Sequence, residues 1–204
     1  MFPVFSRNPL PLAALLACLG AAPVALACPA GESRVCLISC LCVPGSQEQI
    51  GPLYEDLSRM AARGLQAWLE NARSSAAAGR TYGIPLNIRA QLEPYYPIQV
   101  LDSARYQVGD AAQINAANSM LQNPDVNAVT LVDIIVFRHA EDALHNVALW
   151  AHELKHVQQY QEWGASGFAT RYVRDYTQVE APAYDIQNQV TQALRHNLAQ
   201  LRNP

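Results

Sequence analysis

Hydrophobic residues recur at helical spacing in three long stretches of the chain, and shorter stretches carry the β-branched pattern of strands. The first helical stretch covers residues 47–79, with Pro52 marking a start of the regular helix and Gly79 its end. Its apolar positions recur at helical spacing: Ile50, Leu53, Leu57, Met60, Ala61, Leu65, Trp68 and Leu69.

The second helical stretch runs from Glu141 to Trp163 without Pro or Gly, and Gly164 ends it. On a helical wheel one side is apolar, and the opposite side carries His152, Glu153 and His156. The apolar side consists of Val147, Trp150, Ala151, Leu154 and Val157. A linking helix over residues 166–176 and a long helix from Thr177 or Pro182 to Leu201 are predicted to follow.

The strand signals precede the second helix. Residues 98–108 predict one or two strands, and residues 127–137 (NAVTLVDIIVF) predict one strand that leads into the helix. This strand is expected at a sheet edge, where a substrate backbone can pair, or in the sheet interior. Shorter helices are predicted over 85–93 and 111–122. The pattern as a whole predicts a mainly helical α+β fold with a small sheet before the second helix.

The N-terminal 27 residues have the pattern of a signal peptide. Arg7 precedes an apolar run from Leu10 to Leu26, and Ala25 and Ala27 are the small residues that a signal peptidase reads. An uncleaved anchor is the alternative. We therefore expect an exported chain, periplasmic or secreted, with no membrane span after the leader.

Four cysteines follow the leader, and in an exported chain they predict two disulfides. They are Cys28, Cys36, Cys40 and Cys42. Spacing leaves the connectivity open, although residues two apart rarely reach bridge geometry, which disfavours Cys40 with Cys42. Lipidation of Cys28 and a Cys-based zinc knuckle are alternatives. The domain prediction is a leader over 1–27, a Cys-rich cap over 28–46, and one domain over 47–204.

The charge of the chain bears on whether it binds nucleic acid. The chain has 14 Lys and Arg residues against 17 Asp and Glu residues, a formal net charge of −3. No basic patch stands out along the sequence, so nucleic acid is not an expected partner.

His152-Glu153-Leu154-Lys155-His156 matches the H-E-x-x-H pattern of zinc hydrolases. Two His residues four apart lie one turn above each other, so both imidazoles can bind one zinc ion. Glu153 lies about 100° around the helix from His152. That position suits a general base acting on water more than a third ligand.

A hydrolytic zinc site needs a third protein ligand and one open position. The downstream candidates are Glu162, Asp175, Glu180, Asp185 and His196. Glu180 is the preferred one, because a carboxylate at the start of the last helix can return to the metal. The alternative is that Glu180 completes a capping box with Thr177. His145 lies about 10 Å along the helix axis from His152, too far to share the metal.

The segment from Leu149 to Tyr160 resembles the active-site helix of a bacterial family of candidate zinc metallopeptidases, known as a domain of unknown function with an HE-x-x-H-V-x-Q core. The likeness covers about residues 84–190, and Glu180-Ala181 is similar to the downstream Glu-x-x-A element of Glu-ligand zincins. The resemblance implies a zincin-like fold with His152, His156 and Glu180 as ligands and Glu153 as base. It departs at Tyr184, where such proteins usually carry Asp.

These observations predict an exported zinc-dependent hydrolase that cleaves peptide bonds of a peptide or protein substrate. Candidate donors to the substrate or its oxyanion are Tyr172, Tyr176, Tyr184 and His145. The competing hypothesis is a non-catalytic envelope protein that keeps zinc as a structural ion or has lost it.

Overall fold

The computed structural model describes residues 28–37, 39–109, 114, 121 and 127–202. The predicted signal peptide lies outside these residues, and of the predicted helix 111–122 only Ile114 and Leu121 are described, both in helical conformation. The described helices are α1 (Gln47–Ala78), α2 (Leu86–Leu92), α3 (Ile98–Ser103), α4 (Ala140–His145), α5 (Val147–Arg174) and α6 (Tyr176–Arg202). The described strands are β1 (Glu32–Leu37), β2 (Ser39–Pro44), β3 (Tyr82–Gly83), β4 (Arg105–Val108), β5 (Ala128–Leu131) and β6 (Ile134–Phe137).

The Cys-rich segment contains an antiparallel hairpin of β1 and β2. A disulfide joins Cys28 to Cys42 and so closes the start of this segment onto β2. The side chains of Cys36 and Cys40 lie outside the described residues, so the second predicted disulfide does too.

Four of the described strands form the second sheet, in the order β3-β4-β6-β5. β4 is parallel to β6, and the outer pairs are antiparallel. The prediction of a single strand over 127–137 is wrong: the chain reverses at Val132 and Asp133, so β5 and β6 form a hairpin. Val132 has a φ of 63°, which a β-branched residue rarely adopts. Two hydrogen bonds of 2.8 Å from Arg73 hold the Asp133 carboxylate in this turn.

The strand prediction at Ile98 to Val100 is also wrong, because these residues begin α3. Pro97 precedes the helix in an extended conformation, and Val100 and Leu101 are buried while Ile98 is half exposed. Residues 106–108 belong to β4, as predicted.

The long α1 begins at Gln47 and not at Pro52, which lies inside the helix. The backbone N–H of Ser46 donates to Gln49 Oε1 at 3.2 Å. This bond occupies a donor at the N-terminus of the helix. The predicted apolar stripe of α1 is only partly buried. Leu65 and Leu69 belong to the core, whereas Leu53, Leu57 and Met60 are exposed.

The predicted helix over 141–163 is two helices, because Asn146 separates α4 from α5. Asn146 caps α5, accepting a 3.0 Å hydrogen bond from the N–H of Leu149. α4 also separates the β5–β6 hairpin from the motif helix, so no strand leads into it directly. At Gly164 the backbone takes φ 68° and ψ 170°, a conformation essentially restricted to glycine, and α5 is kinked there.

The mainly helical α+β class is confirmed by this arrangement. One core cluster packs the apolar side of α5 on α2, α3 and the sheet, and a second packs α1 on the hairpin and the end of α5. Trp150 and Leu154, predicted as core residues, are completely buried. In the described part of the chain, none of the helices has the length and hydrophobicity required to cross a bilayer.

Candidate metal centre

The two His residues of the motif project from one side of α5. His152 Nε2 and His156 Nε2 lie 3.1 Å apart, and both side chains are buried. The helix is anchored from its other side, where the indole N–H of Trp150 donates to the carbonyl of Ala143 at 2.8 Å. The sequence pattern predicted that the His residues lie opposite an apolar face of this helix. In the structure both the His face and the apolar face are buried.

Glu180 reaches the same point from α6. Its Oε2 lies 3.3 Å from His152 Nε2 and 3.5 Å from His156 Nε2. The kink at Gly164 redirects the end of α5, and α6 begins at Tyr176 and packs back on α5. The carboxylate predicted as the third ligand is therefore brought to the His pair.

The capping-box explanation for Glu180 is wrong, because Asp175 serves as the cap of α6. The Asp175 carboxylate accepts hydrogen bonds from the N–H groups of Thr177 and Gln178, at 3.1 and 3.4 Å. The Gln178 side chain also donates to Asp175, at 2.9 Å. Glu180 is thus free of a capping role and faces the His pair.

The three donor atoms have the spacing that a metal ion requires. His152, His156 and Glu180 form the group of potential metal ligands found among the described residues. Zinc–ligand bonds of about 2.0–2.1 Å in a tetrahedron place neighbouring donors about 3.3 Å apart. The observed separations of 3.1, 3.3 and 3.5 Å lie close to that edge length. Two imidazoles and one carboxylate are also a donor set that suits zinc, so the residues fit the ion.

Electrostatics couple the same three groups in the metal-free protein. Burial disfavours a charged His156, but the hydrogen bond to Glu180 and the charge of that carboxylate outweigh burial and raise the pKa of His156 to about 9. Burial also opposes ionisation of Glu180, yet its contacts with His152 and His156 hold the Glu180 pKa well below its usual value. A metal cation would replace the proton that the cluster otherwise retains.

Gln159 supports the second His. Its Oε1 lies 2.8 Å from His156 Nδ1, and its Nε2 donates to the carbonyl of Val179 at 2.8 Å. An amide oxygen can only accept, so this contact places the His156 proton on Nδ1 and leaves Nε2 for a metal. His152 Nδ1 is buried and has no hydrogen-bond partner among the described residues, and the Tyr184 ring packs against the His152 ring with centroids 4.7 Å apart. The Asp that the resemblance to Glu-ligand zincins implies is absent at position 184, and the Tyr184 ring contacts His152 there.

Glu153 is buried beside the two His residues, and its carboxylate is held by another residue. The hydroxyl of Thr130, on β5, donates to Glu153 Oε2 at 2.7 Å. Glu153 is not one of the three converging donors. Its carboxylate is therefore held at the wall of the cavity, where it can accept a proton from water.

A cavity of about 190 Å³ adjoins the cluster, and His152, Glu153 and His156 line it together with residues of β5 and α6. Of the predicted donors, Tyr172 and Tyr184 line this cavity, whereas His145 and Tyr176 do not. His145 is an exposed residue at the end of α4, 4.0 Å from Glu141. The phenol of Tyr172 donates to the carbonyl of Leu121 at 3.2 Å, and burial and the Glu180 charge raise its pKa.

The remaining candidates for the third ligand lie elsewhere. Glu162, Asp175, Asp185 and His196 are all exposed and do not join the cluster. Sequence reasoning missed three further residues of the site: Thr130, Gln159 and Tyr160. For Gln159 a signal existed in the V-x-Q extension of the motif, while Thr130 reaches Glu153 only through folding.

Part of the chain matches a known family model. Residues 83–164 are similar to the family model described as the eCIS core domain. This segment contains His152, Glu153 and His156 and ends before Glu180. No curated protein and no solved structure matches the chain.

Proposed function

We propose that this protein is an exported, zinc-dependent hydrolase of zincin-like fold that cleaves peptide bonds. The observation that carries the proposal is the triangle of donor atoms from His152, His156 and Glu180, with separations of 3.1, 3.3 and 3.5 Å. Glu153 is the residue that argues for catalysis over a structural ion. It is a buried carboxylate that is held at the cavity by Thr130 and is not a ligand. A structural site would use a fourth protein ligand instead.

When bound, zinc acts as a Lewis acid on a carbonyl and lowers the pKa of water. The chain's own residues do the rest. Gln159 orients His156, and Glu180 closes the ligand set from α6. Glu153 accepts a proton from the attacking water and returns it to the leaving nitrogen.

An extended peptide is the substrate class that the cavity favours. Among the described strands β5 lies at the edge of its sheet, and Asn127 to Thr130 line the cavity. Arg138 donates its backbone N–H to the carbonyl of Asn127 at 2.7 Å, so Asn127 faces β6. Because backbone groups alternate along a strand, those of Ala128 and Thr130 face the opposite edge. This edge can pair with an extended backbone beside Glu153.

The test compares purified wild-type protein, Glu153→Gln and a matched control, Glu162→Gln, which alters an exposed residue of the same helix. Zinc-loaded protein is incubated with a mixture of peptides of defined sequence, and new termini are identified by mass spectrometry. We expect cleavage by the wild type and Glu162→Gln, and a loss of about 10²–10⁴-fold in Glu153→Gln with zinc retained. Cleavage that survives intact in Glu153→Gln would contradict the proposed catalytic role.

The family match favours a second, compatible role, as a component of a contractile injection system. The match supports association with such a particle independently of catalysis. Sedimentation of assembled particles from a strain that produces tagged protein tests this role. The tagged chain should sediment with the particles, and its exclusive recovery in the unsedimented fraction would contradict the association.

A further inference from the structure

Tyr160 is one of the residues that line the cavity, and its buried hydroxyl makes no hydrogen bond to the three converging donors or to Glu153. Tyr160 lies one helical turn beyond His156, on the same side of α5. Its side chain is only 4% exposed. Its hydroxyl has no hydrogen-bond partner in the described part of the chain. A buried hydroxyl that has no partner within the protein costs free energy, and its hydrogen bond is available to a ligand.

Packing holds this hydroxyl in place. The Tyr160 ring stacks on Phe168, with centroids 4.0 Å apart and planes inclined by 20°. Phe168 in turn stacks on Tyr172 at 5.6 Å. The stack on Phe168 and the attachment to α5 together fix the position of the Tyr160 hydroxyl.

The residues around Tyr160 also determine whether its hydroxyl donates or accepts a hydrogen bond. Burial, Tyr172 and the charges of Glu153 and Glu180 raise the pKa of Tyr160 well above its usual value, so the phenol keeps its proton. It is therefore a donor, and its partner must be an acceptor. Tyr172 differs, because its hydroxyl already donates to the carbonyl of Leu121.

We infer that Tyr160 is a further catalytic residue, which donates a hydrogen bond to the carbonyl oxygen of the scissile amide as negative charge develops there. This inference rests on the proposed hydrolytic function. As water attacks the carbonyl carbon, Glu153 takes the proton, and the electron pair of the C=O bond moves to the oxygen that Tyr160 binds. When the C=O bond re-forms, the C–N bond breaks, and Glu153 delivers the proton to nitrogen. Tyr160 retains its own proton throughout, and water is consumed.

The test uses Tyr160→Phe, with Tyr172→Phe and Tyr176→Phe as comparisons. Tyr160→Phe removes only the unpartnered hydroxyl, so the metal-free variant should unfold at the same or a higher temperature than wild type. Tyr172→Phe should unfold at a lower temperature, since it loses an existing hydrogen bond. Tyr176→Phe changes an exposed residue outside the cavity and should match the wild type. A drop in the unfolding temperature or the zinc content of Tyr160→Phe would assign the hydroxyl a structural role and overturn the inference.

Two functional readouts complete the test. For a peptide that the wild type cleaves, Tyr160→Phe should lower kcat about 10²–10³-fold with KM little changed. Acetohydroxamate, which presents an oxygen to the metal without being hydrolysed, should bind zinc-loaded Tyr160→Phe about tenfold more weakly than wild type. Unchanged kcat or unchanged acetohydroxamate affinity would overturn the inference. If the wild type binds zinc and acetohydroxamate but cleaves nothing, the proposed function fails, and the acetohydroxamate comparison still decides whether Tyr160 is a donor.

Discussion

Gln159 Oε1 lies 2.8 Å from His156 Nδ1, while the other end of the same amide donates to the carbonyl of Val179, the residue before Glu180. One buried side chain thus links His156 on α5 to the backbone of α6 just before Glu180. The relationship matters because it fixes the tautomer of His156 and the separation of the two helices together.

Replacing Gln159 with Leu should therefore lower zinc affinity about 10–100-fold, the effect typical of losing such a supporting contact. The measurement is a competition titration against a chromophoric zinc chelator. Gln158→Leu is the matched control, because Gln158 bonds Lys155 and does not line the cavity. Equal affinities in the two variants would show that Gln159 does not support the metal site.

The metal-free protein should lose stability as the pH rises from about 6.5 to about 9. In the folded chain the pKa of His156 is raised from 6.5 to about 9, so folding is favoured by a proton that the unfolded chain releases earlier. The contribution is complete below pH 6.5 and is lost as the pH passes through the folded value. Thermal unfolding of chelator-treated protein across this range measures it, with His156→Gln as the control that should lack the trend. A transition temperature independent of pH in both proteins would contradict the coupling.

Gly164 should be difficult to replace. Its φ of 68° and ψ of 170° are strained for any residue with a side chain, although an added Cβ would meet no atom within 4 Å. Gly164→Ala is therefore expected to destabilise the protein by about 1–3 kcal/mol through backbone strain alone. Urea unfolding measures this, and Gly64→Ala provides a control at an exposed position within α1, where alanine should stabilise the helix. A wild-type free energy of unfolding for Gly164→Ala would mean that the kink is not fixed by glycine.

The sequence predicted that the side chains of His152, His156 and Glu180 converge, and for the two His residues the information was local. The spacing of His152 and His156 determines that they share a helix face. Glu180 was preferred because a carboxylate at the start of the last helix can reach back to the two His residues. The residues that could not be predicted from the sequence are those whose roles depend on tertiary contacts. Thr130 and Gln159 acquire their roles only when β5 and α6 pack on α5.

The errors in the fold prediction have specific causes. Val132 adopts a positive φ against its own preference, so the turn in the β5–β6 hairpin has none of the usual Gly or Asn signals. Asn146 ends one helix and caps the next without a Pro or Gly to mark the break. At Ile98 to Val100, burial of Val100 and Leu101 outweighs the strand preference of β-branched residues.

The central claim is that His152, His156 and Glu180 bind one metal ion beside a general base. Metal content per chain, measured by mass spectrometry of purified protein dialysed against a mild chelator, tests it most directly. We expect about one zinc per chain in the wild type, in Glu153→Gln and in the control His196→Ala, and little in His152→Ala, His156→Ala and Glu180→Gln. Wild-type protein without zinc, or zinc retained in all three ligand variants, would contradict the account.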